Sequence, residues 1–177
     1  MRAFLVAASI ALLACTPREP PHWPEGGARL LLPTARWDRP GEDPIELRPD
    51  GRVIEDGDVL FVVDRVGRVV DDDHEPVALL LPDGRLVGTD ERALGYVGVS
   101  NAAPPWSGHA WVAVRPDGSV VHFAPDGERS SGGHWQGCDG VALRTCTLVT
   151  HLVALRHSRS PGSGFSFGVG VGIGIGF

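Results

Sequence analysis

Hydrophobic and polar positions from Ile45 to about residue 135 alternate in short runs separated by turn residues. Gly-Arg followed by two aliphatic residues occurs at Gly51, Gly67 and Gly84, at spacings of 16 and 17 residues, and Gly118 opens a similar unit 34 residues later. This period corresponds to one β-hairpin per repeat. The pattern therefore predicts about ten short strands, an all-β antiparallel meander of hairpins that forms a small barrel or sandwich.

The turns between these strands carry a specific chemistry. Three repeats begin Pro-Asp-Gly, in which proline fixes φ of the first turn residue, aspartate tolerates the second position and glycine takes the left-handed third position. A loop of this type also fixes the register of its hairpin. The predicted pairs are Val112 with His122, Ala113 with Val121, Leu80 with Leu86, and Leu79 with Val87.

The segment 141–156 is ambiguous. Its threonine and valine content favours a strand, whereas Leu143, Cys146, Val149 and Val153 could form a helical stripe. On composition we predict a strand here.

The last segment, 165–177, alternates Phe, Val or Ile with Gly or Ser. As a strand it would present apolar side chains on one face only, and its glycines disfavour a strand without a partner surface. Three alternatives stay open. The segment completes the domain's own sheet, contacts a membrane, an envelope protein or a second copy of the chain, or has no fixed structure.

The start of the chain indicates export. Met1-Arg2 precedes twelve uncharged residues, a length that suits a signal peptide and is too short to span a bilayer. The sequence Leu12-Leu13-Ala14-Cys15 resembles a bacterial lipobox. The resemblance implies removal of residues 1–14, a lipid on the Cys15 sulfur and acylation of the new amino terminus, which together give stable membrane anchoring. Thr16 gives no inner-membrane retention signal, which favours the outer membrane. The alternative is an ordinary secretory signal with a chance cysteine.

Proline density predicts the domain boundaries. Seven prolines lie within residues 16–44, which blocks helices and disfavours central strands. We therefore expect a lipid anchor and tether over residues 15–44, a hairpin domain over 45–157 and a separate tail over 158–177. The segment around Trp37 could add an edge strand to the domain, and the sequence leaves this open.

Charge and cysteine usage narrow the function classes. The chain has 22 acidic and 16 basic residues, all of the latter arginine, and a net charge of −6, which argues against nucleic acid as a partner. Cys138 and Cys146 are eight residues apart, and we expect them to form a disulfide in an oxidising compartment. A metal pair or a reactive thiol is the alternative.

One stretch resembles an enzyme family. Gly57-Asp58-Val59-Leu60-Phe61, followed by Gly108-His109 and later His122, is similar to papain-like cell-wall amidases. The resemblance implies His109 as base and His122 as orienting group, with Cys138 as the nucleophile of a permuted version. No cysteine lies between Cys15 and His109, and the predicted register puts the two histidines on opposite faces.

Other candidate sites have simpler explanations. The acidic run 71–75 is expected to be a solvated turn, because it lacks the alternating oxygen ligands of a calcium loop. His109 and His134 with Trp135 make a loose cluster, and Trp106, Trp111 and Trp135 suit an aromatic binding patch or a core equally well. We predict no metal and no cofactor. The favoured interpretation is a lipid-anchored envelope domain with a binding or structural role and no catalysis, and the alternative is the permuted cysteine hydrolase.

Overall fold

The computed structural model of the protein describes residues 18–159, and in this range twelve strands form one closed antiparallel barrel. Each strand pairs with its neighbours in sequence, and the first strand closes the barrel by pairing with the last. The elements are β1 (Ala35–Asp38), β2 (Ile45–Leu47), β3 (Arg52–Glu55), β4 (Asp58–Val63), β5 (Arg68–Val70), β6 (Pro76–Leu80), β7 (Arg85–Gly88), β8 (Ala93–Val97), β9 (Asn101–Ala103), β10 (Val112–Val114), β11 (Ser119–Phe123), β12 (Arg129–Gln136) and α1 (Leu143–Arg159).

The predicted all-β meander of hairpins is confirmed, and of the two predicted closures the structure has the barrel. The predicted hairpin registers are also confirmed: Val112 with His122 and Ala113 with Val121 across β10 and β11, and Leu80 with Leu86 and Leu79 with Val87 across β6 and β7. The turn glycines have the left-handed backbone that the Pro-Asp-Gly pattern requires, with φ of +98° at Gly84 and +87° at Gly118.

The packed domain begins before the boundary expected at Ile45. Ala28 and Leu30 are buried in the core, and β1 places Trp37 between β2 and β12. The prolines of the predicted tether flank β1 and do not lie within it. Cys15 and the signal-peptide segment, like the alternating segment 165–177, lie outside the described residues.

The strand predicted over residues 141–156 is wrong, because this segment forms most of α1. Every residue from Thr145 to Val153 is buried. A helix buried on all sides has no polar face, so its sequence lacks the amphipathic period that identifies a helix. Its threonines and valines are β-branched residues, which favour strands by composition.

The helix α1 fills the interior of the barrel. Core side chains from all twelve strands and from α1 form one apolar cluster, and a barrel of twelve strands is wide enough to need more than its own side chains to fill it. The buried threonines of α1 bond to backbone carbonyls and to the wall. Thr150 donates to Cys146 O at 2.8 Å and accepts from Trp135 Nε1 at 2.9 Å, and Thr145 donates to Leu31 O at 2.6 Å. No helix among residues 18–159 is long and apolar enough to cross a membrane.

The two ends of the barrel differ. At the end where α1 begins, the segment 26–34 crosses the turns, with Gly27 N bonding to Val66 O and Ala28 N to Leu80 O, both at 2.7 Å. We call this the closed end. The sulfurs of Cys138 and Cys146 are at disulfide-bonding distance there, with 6.1 Å between their Cα atoms, and they join the β12–α1 connection to the first turn of the helix. The opposite end, where α1 finishes, is the open end.

Candidate functional site

A cavity of about 560 Å³ lies at the open end of the barrel, above the last turns of α1. Val153 and Ala154 of the helix form part of its wall, together with Trp37 of β1, Val112 of β10 and Trp111, which directly precedes β10. Its polar groups come from Arg39, Glu42, Asp43, Glu55, His122, Ser130, Ser131, His157 and Ser158. Its size and mixed lining are those of small-molecule sites, which are common in the mouths of β-barrels.

Trp37 fixes one wall of the cavity. Its Nε1 donates to Gly132 O at 2.8 Å, and its ring stacks on Trp135 with 5.5 Å between centroids. The guanidinium of Arg39 lies 5.4 Å from the Trp37 ring centre, a cation–π distance. The indole therefore sits between a buried aromatic ring and a cation, and it presents only part of its surface to the cavity.

Arg39 is held by two carboxylates. Its side chain is only 4 % exposed and pairs with Glu42 at 2.5 Å and with Glu55. It also donates from Nε to the backbone oxygen of Asp43 at 2.9 Å. Charge-assisted bonds of this kind orient a buried guanidinium strongly. The pair of carboxylates neutralises the cation and leaves the group with one net negative charge.

Trp111 forms a second part of the cavity wall and is held by the buried His151 of α1. Trp111 Nε1 donates to His151 Nδ1 at 2.9 Å, and His151 Nε2 lies 2.9 Å from Leu94 O. Because Nδ1 accepts, the proton of the neutral ring is on Nε2 and is donated to the carbonyl. Burial lowers the pKa of His151 from 6.5 to about 4, and the bond to Leu94 opposes this only in part. His151 is therefore neutral at physiological pH and acts as a structural link between the helix and the wall.

His122 lies in the wall beside Gly132. A Cβ at Gly132 would come within 2.4 Å of His122 Nε2, so glycine makes room for the imidazole ring. Within the described residues Nε2 is buried without a hydrogen-bond partner. Burial lowers the pKa of His122, and the nearby Glu42 carboxylate opposes the shift. The ring is therefore kept neutral in an apolar wall.

The residues of the hydrolase hypothesis are not brought together. His109 is exposed in the β9–β10 loop at the open end, whereas Cys138 follows β12 at the closed end. His122 lines the cavity without contacting either. A thiolate nucleophile needs its base within hydrogen-bond reach, and this arrangement does not provide it.

The structure also locates the acidic run 71–75 and the histidines of the predicted loose cluster. The acidic run 71–75 is an exposed turn between β5 and β6, as predicted, with Asp71 Oδ1 accepting from the backbone of Asp73 and Glu75. His134 is at the closed end, 2.8 Å from Asp117 O, and so is separated from His109. Among residues 18–159, no group of three or more His, Cys, Asp or Glu side chains is placed to hold a metal ion.

Sequence reasoning missed most of this site. The predicted tether over residues 15–44 includes Arg39 and Glu42, and nothing in the sequence singles out Glu55. The predicted boundary between the domain and the tail falls between His157 and Ser158. The sequence does carry one signal: apolar and polar residues alternate in Ala35-Arg36-Trp37-Asp38, as in a strand with one buried face. The same alternation puts Arg39 on the buried face.

No family model, curated protein or solved structure matches this chain.

Proposed function

We propose that this protein is a lipid-anchored domain of the bacterial cell envelope that binds a small, largely apolar ligand in the open end of its barrel, without catalysis. The cavity beside Trp37 and Trp111 is the observation that carries the binding role. Its walls belong to a closed barrel and a buried helix, so the site is formed before a ligand arrives, which reduces the ordering cost of binding.

The anchoring part of the proposal rests on the lipobox-like sequence ending at Cys15. It places the barrel at a membrane surface, most simply the outer membrane, where apolar molecules are concentrated. Cys15→Ala is expected to leave the chain unprocessed at its ordinary cleavage site and to move it out of the membrane fraction. Unchanged size and fractionation of this variant would exclude a lipid anchor.

The binding part is tested with an uncharged fluorescent probe, N-phenyl-1-naphthylamine. The protein is residues 15–177 carrying Cys15→Ser, so that no acyl chain of its own competes. We expect saturable binding of one probe per chain. Ala154→Phe narrows the cavity and should weaken binding by about tenfold or more, a loss of at least about 1.4 kcal/mol.

Ala93→Phe is the matched control, because Ala93 is exposed on β8 and does not line the cavity. It adds the same ring and should leave probe binding unchanged. Equal affinity in the two variants, or no saturable binding by the parent protein, would refute a ligand site in the barrel mouth.

A further inference from the structure

The charges of the protein are strongly divided between the two ends of the barrel. The open end is formed by residues 39–44, 55–58, 71–75, 89–92, 104–111 and 124–129 with Arg156 of the helix, and Arg18 pairs with Asp90 there. Together these residues carry 13 carboxylates and five arginines. The closed end is formed by residues 48–52, 64–68, 81–85, 98–100, 115–119 and 137–144, which carry five carboxylates and seven arginines. A rim of one sign around a cavity concentrates ligands of the opposite sign.

The negative charge continues into the cavity. Asp43 and Glu55 line both this cavity and a neighbouring one of about 570 Å³. The neighbouring cavity also has Asp56, Asp58 and Asp72 in its wall, against one cation, Arg156. Arg39, the one buried arginine among residues 18–159, is already paired with Glu42 and Glu55. Its guanidinium is therefore poorly placed to attract an anionic ligand, and the carboxylates keep a net charge to offer a cation.

Aromatic side chains line the same cavity as Glu42, Asp43 and Glu55. Trp111 lines the cavity. Trp106, which is 64 % exposed, makes a T-shaped contact with the Trp111 ring, with 5.7 Å between the ring centroids. Indole faces attract ammonium groups through the ring quadrupole, most strongly when the cation is partly desolvated. An apolar chamber with indole walls and a carboxylate rim is complementary to a molecule with an apolar body and one positive charge.

We infer that the ligand of the barrel mouth is a cationic amphiphile, such as an alkyl or aryl amine or a quaternary ammonium compound. The inference rests on the proposed binding function and adds the charge class of the ligand. The apolar part occupies the space beside Val153 and Ala154, and the cationic part lies toward Glu42, Asp43 and Glu55.

The test uses three probes with the same ten-carbon chain and different charge: decyltrimethylammonium, decanol and decanoate. Each probe is used to displace N-phenyl-1-naphthylamine from residues 15–177 carrying Cys15→Ser. The concentration of each probe is kept below the concentration at which that probe forms micelles, and the ionic strength is low. We expect the cation to bind at least about fivefold more tightly than decanol, because opposite unit charges at contact distance have that effect even in a water-like dielectric. Decanoate should bind more weakly than decanol, and 0.5 M salt should reduce both differences.

Two variants locate the effect. Glu42→Gln with Asp43→Asn should remove most of the preference for the cation. Asp56→Asn with Asp58→Asn should reduce it without touching the partners of Arg39, which covers the case in which the first variant fails to fold. Glu25→Gln with Asp139→Asn is the control, because both residues are exposed, neither belongs to the segments that form the open end, and the change in net charge is the same.

The outcomes separate the two proposals. Binding of N-phenyl-1-naphthylamine with equal or tighter binding of decanoate would overturn the charge class and leave the binding function intact. A preference for the cation that persists in both rim variants would overturn its assignment to these carboxylates. Absence of any probe binding would overturn the proposed function and, with it, this inference.

Discussion

The buried His151 makes a sharp prediction about how stability depends on pH. Its pKa is about 4 in the folded protein and 6.5 ordinarily. The unfolded chain therefore takes up a proton as the pH falls below 6.5, while the folded protein does not until about pH 4. The free energy of unfolding must then fall across this window. A pKa of about 4 instead of 6.5 corresponds to about 3 kcal/mol, and about 2 kcal/mol of this is lost between pH 7 and pH 5.

The perturbation is His151→Gln, which removes the titrating group and keeps a side chain that can hydrogen-bond. The variant should be less stable than the parent at pH 7, because Trp111 Nε1 and Leu94 O lose well-placed partners. That penalty should shrink by about 2 kcal/mol between pH 7 and pH 5, since only the parent pays for keeping His151 neutral. Contributions of His122 and the carboxylates are common to both proteins and cancel in the difference.

The assay is urea unfolding followed by far-ultraviolet circular dichroism at pH 7, 6 and 5. Thr150→Val is the control. Thr150 is also fully buried on α1 and accepts from Trp135, but it does not titrate, so its penalty should not vary with pH. If the penalty of His151→Gln stayed constant from pH 7 to pH 5, the description of His151 as a neutral link held by Trp111 would be refuted.

Two further predictions concern the turns and the cysteines. Gly118 and Gly127 both have φ of +87°, but a Cβ at Gly118 would lie 2.1 Å from Trp135 O whereas one at Gly127 meets nothing within 4 Å. Gly127→Ala should therefore lower the stability only by the left-handed backbone strain of about 1–2 kcal/mol, whereas Gly118→Ala should lower it clearly more. The midpoint of thermal unfolding measures both losses. Equal losses would contradict the close approach of Gly118 to Trp135 O. Replacing Cys138 and Cys146 by serine should lower the free energy of unfolding by about 2.5 kcal/mol, from the loop-closure entropy of a short loop, and reduction of the parent should give a similar loss; a reductant without effect on stability would exclude the disulfide.

The hairpins were predictable because their information is local. Pro-Asp-Gly at Asp83 and Asp117 fixes both the turn conformation and the register of the flanking strands. The alternation of apolar and polar positions then determines which face is buried. The pairing of β6 with β7 and of β10 with β11 follows from these few residues.

The helix and the cavity were not predictable for the opposite reason. The helix α1 is buried on every side between Thr145 and Val153. Its sequence therefore shows no amphipathic period, and the groups that bond to its polar side chains come from the barrel. Thr150 and His151 are polar and would not be expected in a buried helix. They are accommodated because Trp135 donates to Thr150 and Trp111 donates to His151. The partners of Arg39 are similarly distributed over the β1–β2 loop and the end of β3. Pairing of β1, β2 and β3 brings the partners of Arg39 together, and closure of the barrel between β1 and β12 places Trp37 against Trp135.

The central claim is that the mouth of the barrel is a ligand site, and the indole N–H signals of the five tryptophans test it directly. The measurement is a ¹H–¹⁵N spectrum of residues 15–177 carrying Cys15→Ser, titrated with N-phenyl-1-naphthylamine. Individual Trp→Phe variants assign the signals. Trp37 and Trp111 line the cavity, whereas Trp23 lies outside the barrel against Arg68.

We predict that the Trp37 and Trp111 signals shift together along one saturable curve while the Trp23 signal stays in place. Unchanged Trp37 and Trp111 signals at saturating probe, or shifts confined to Trp23 and the exposed Trp106, would contradict a ligand site within the barrel.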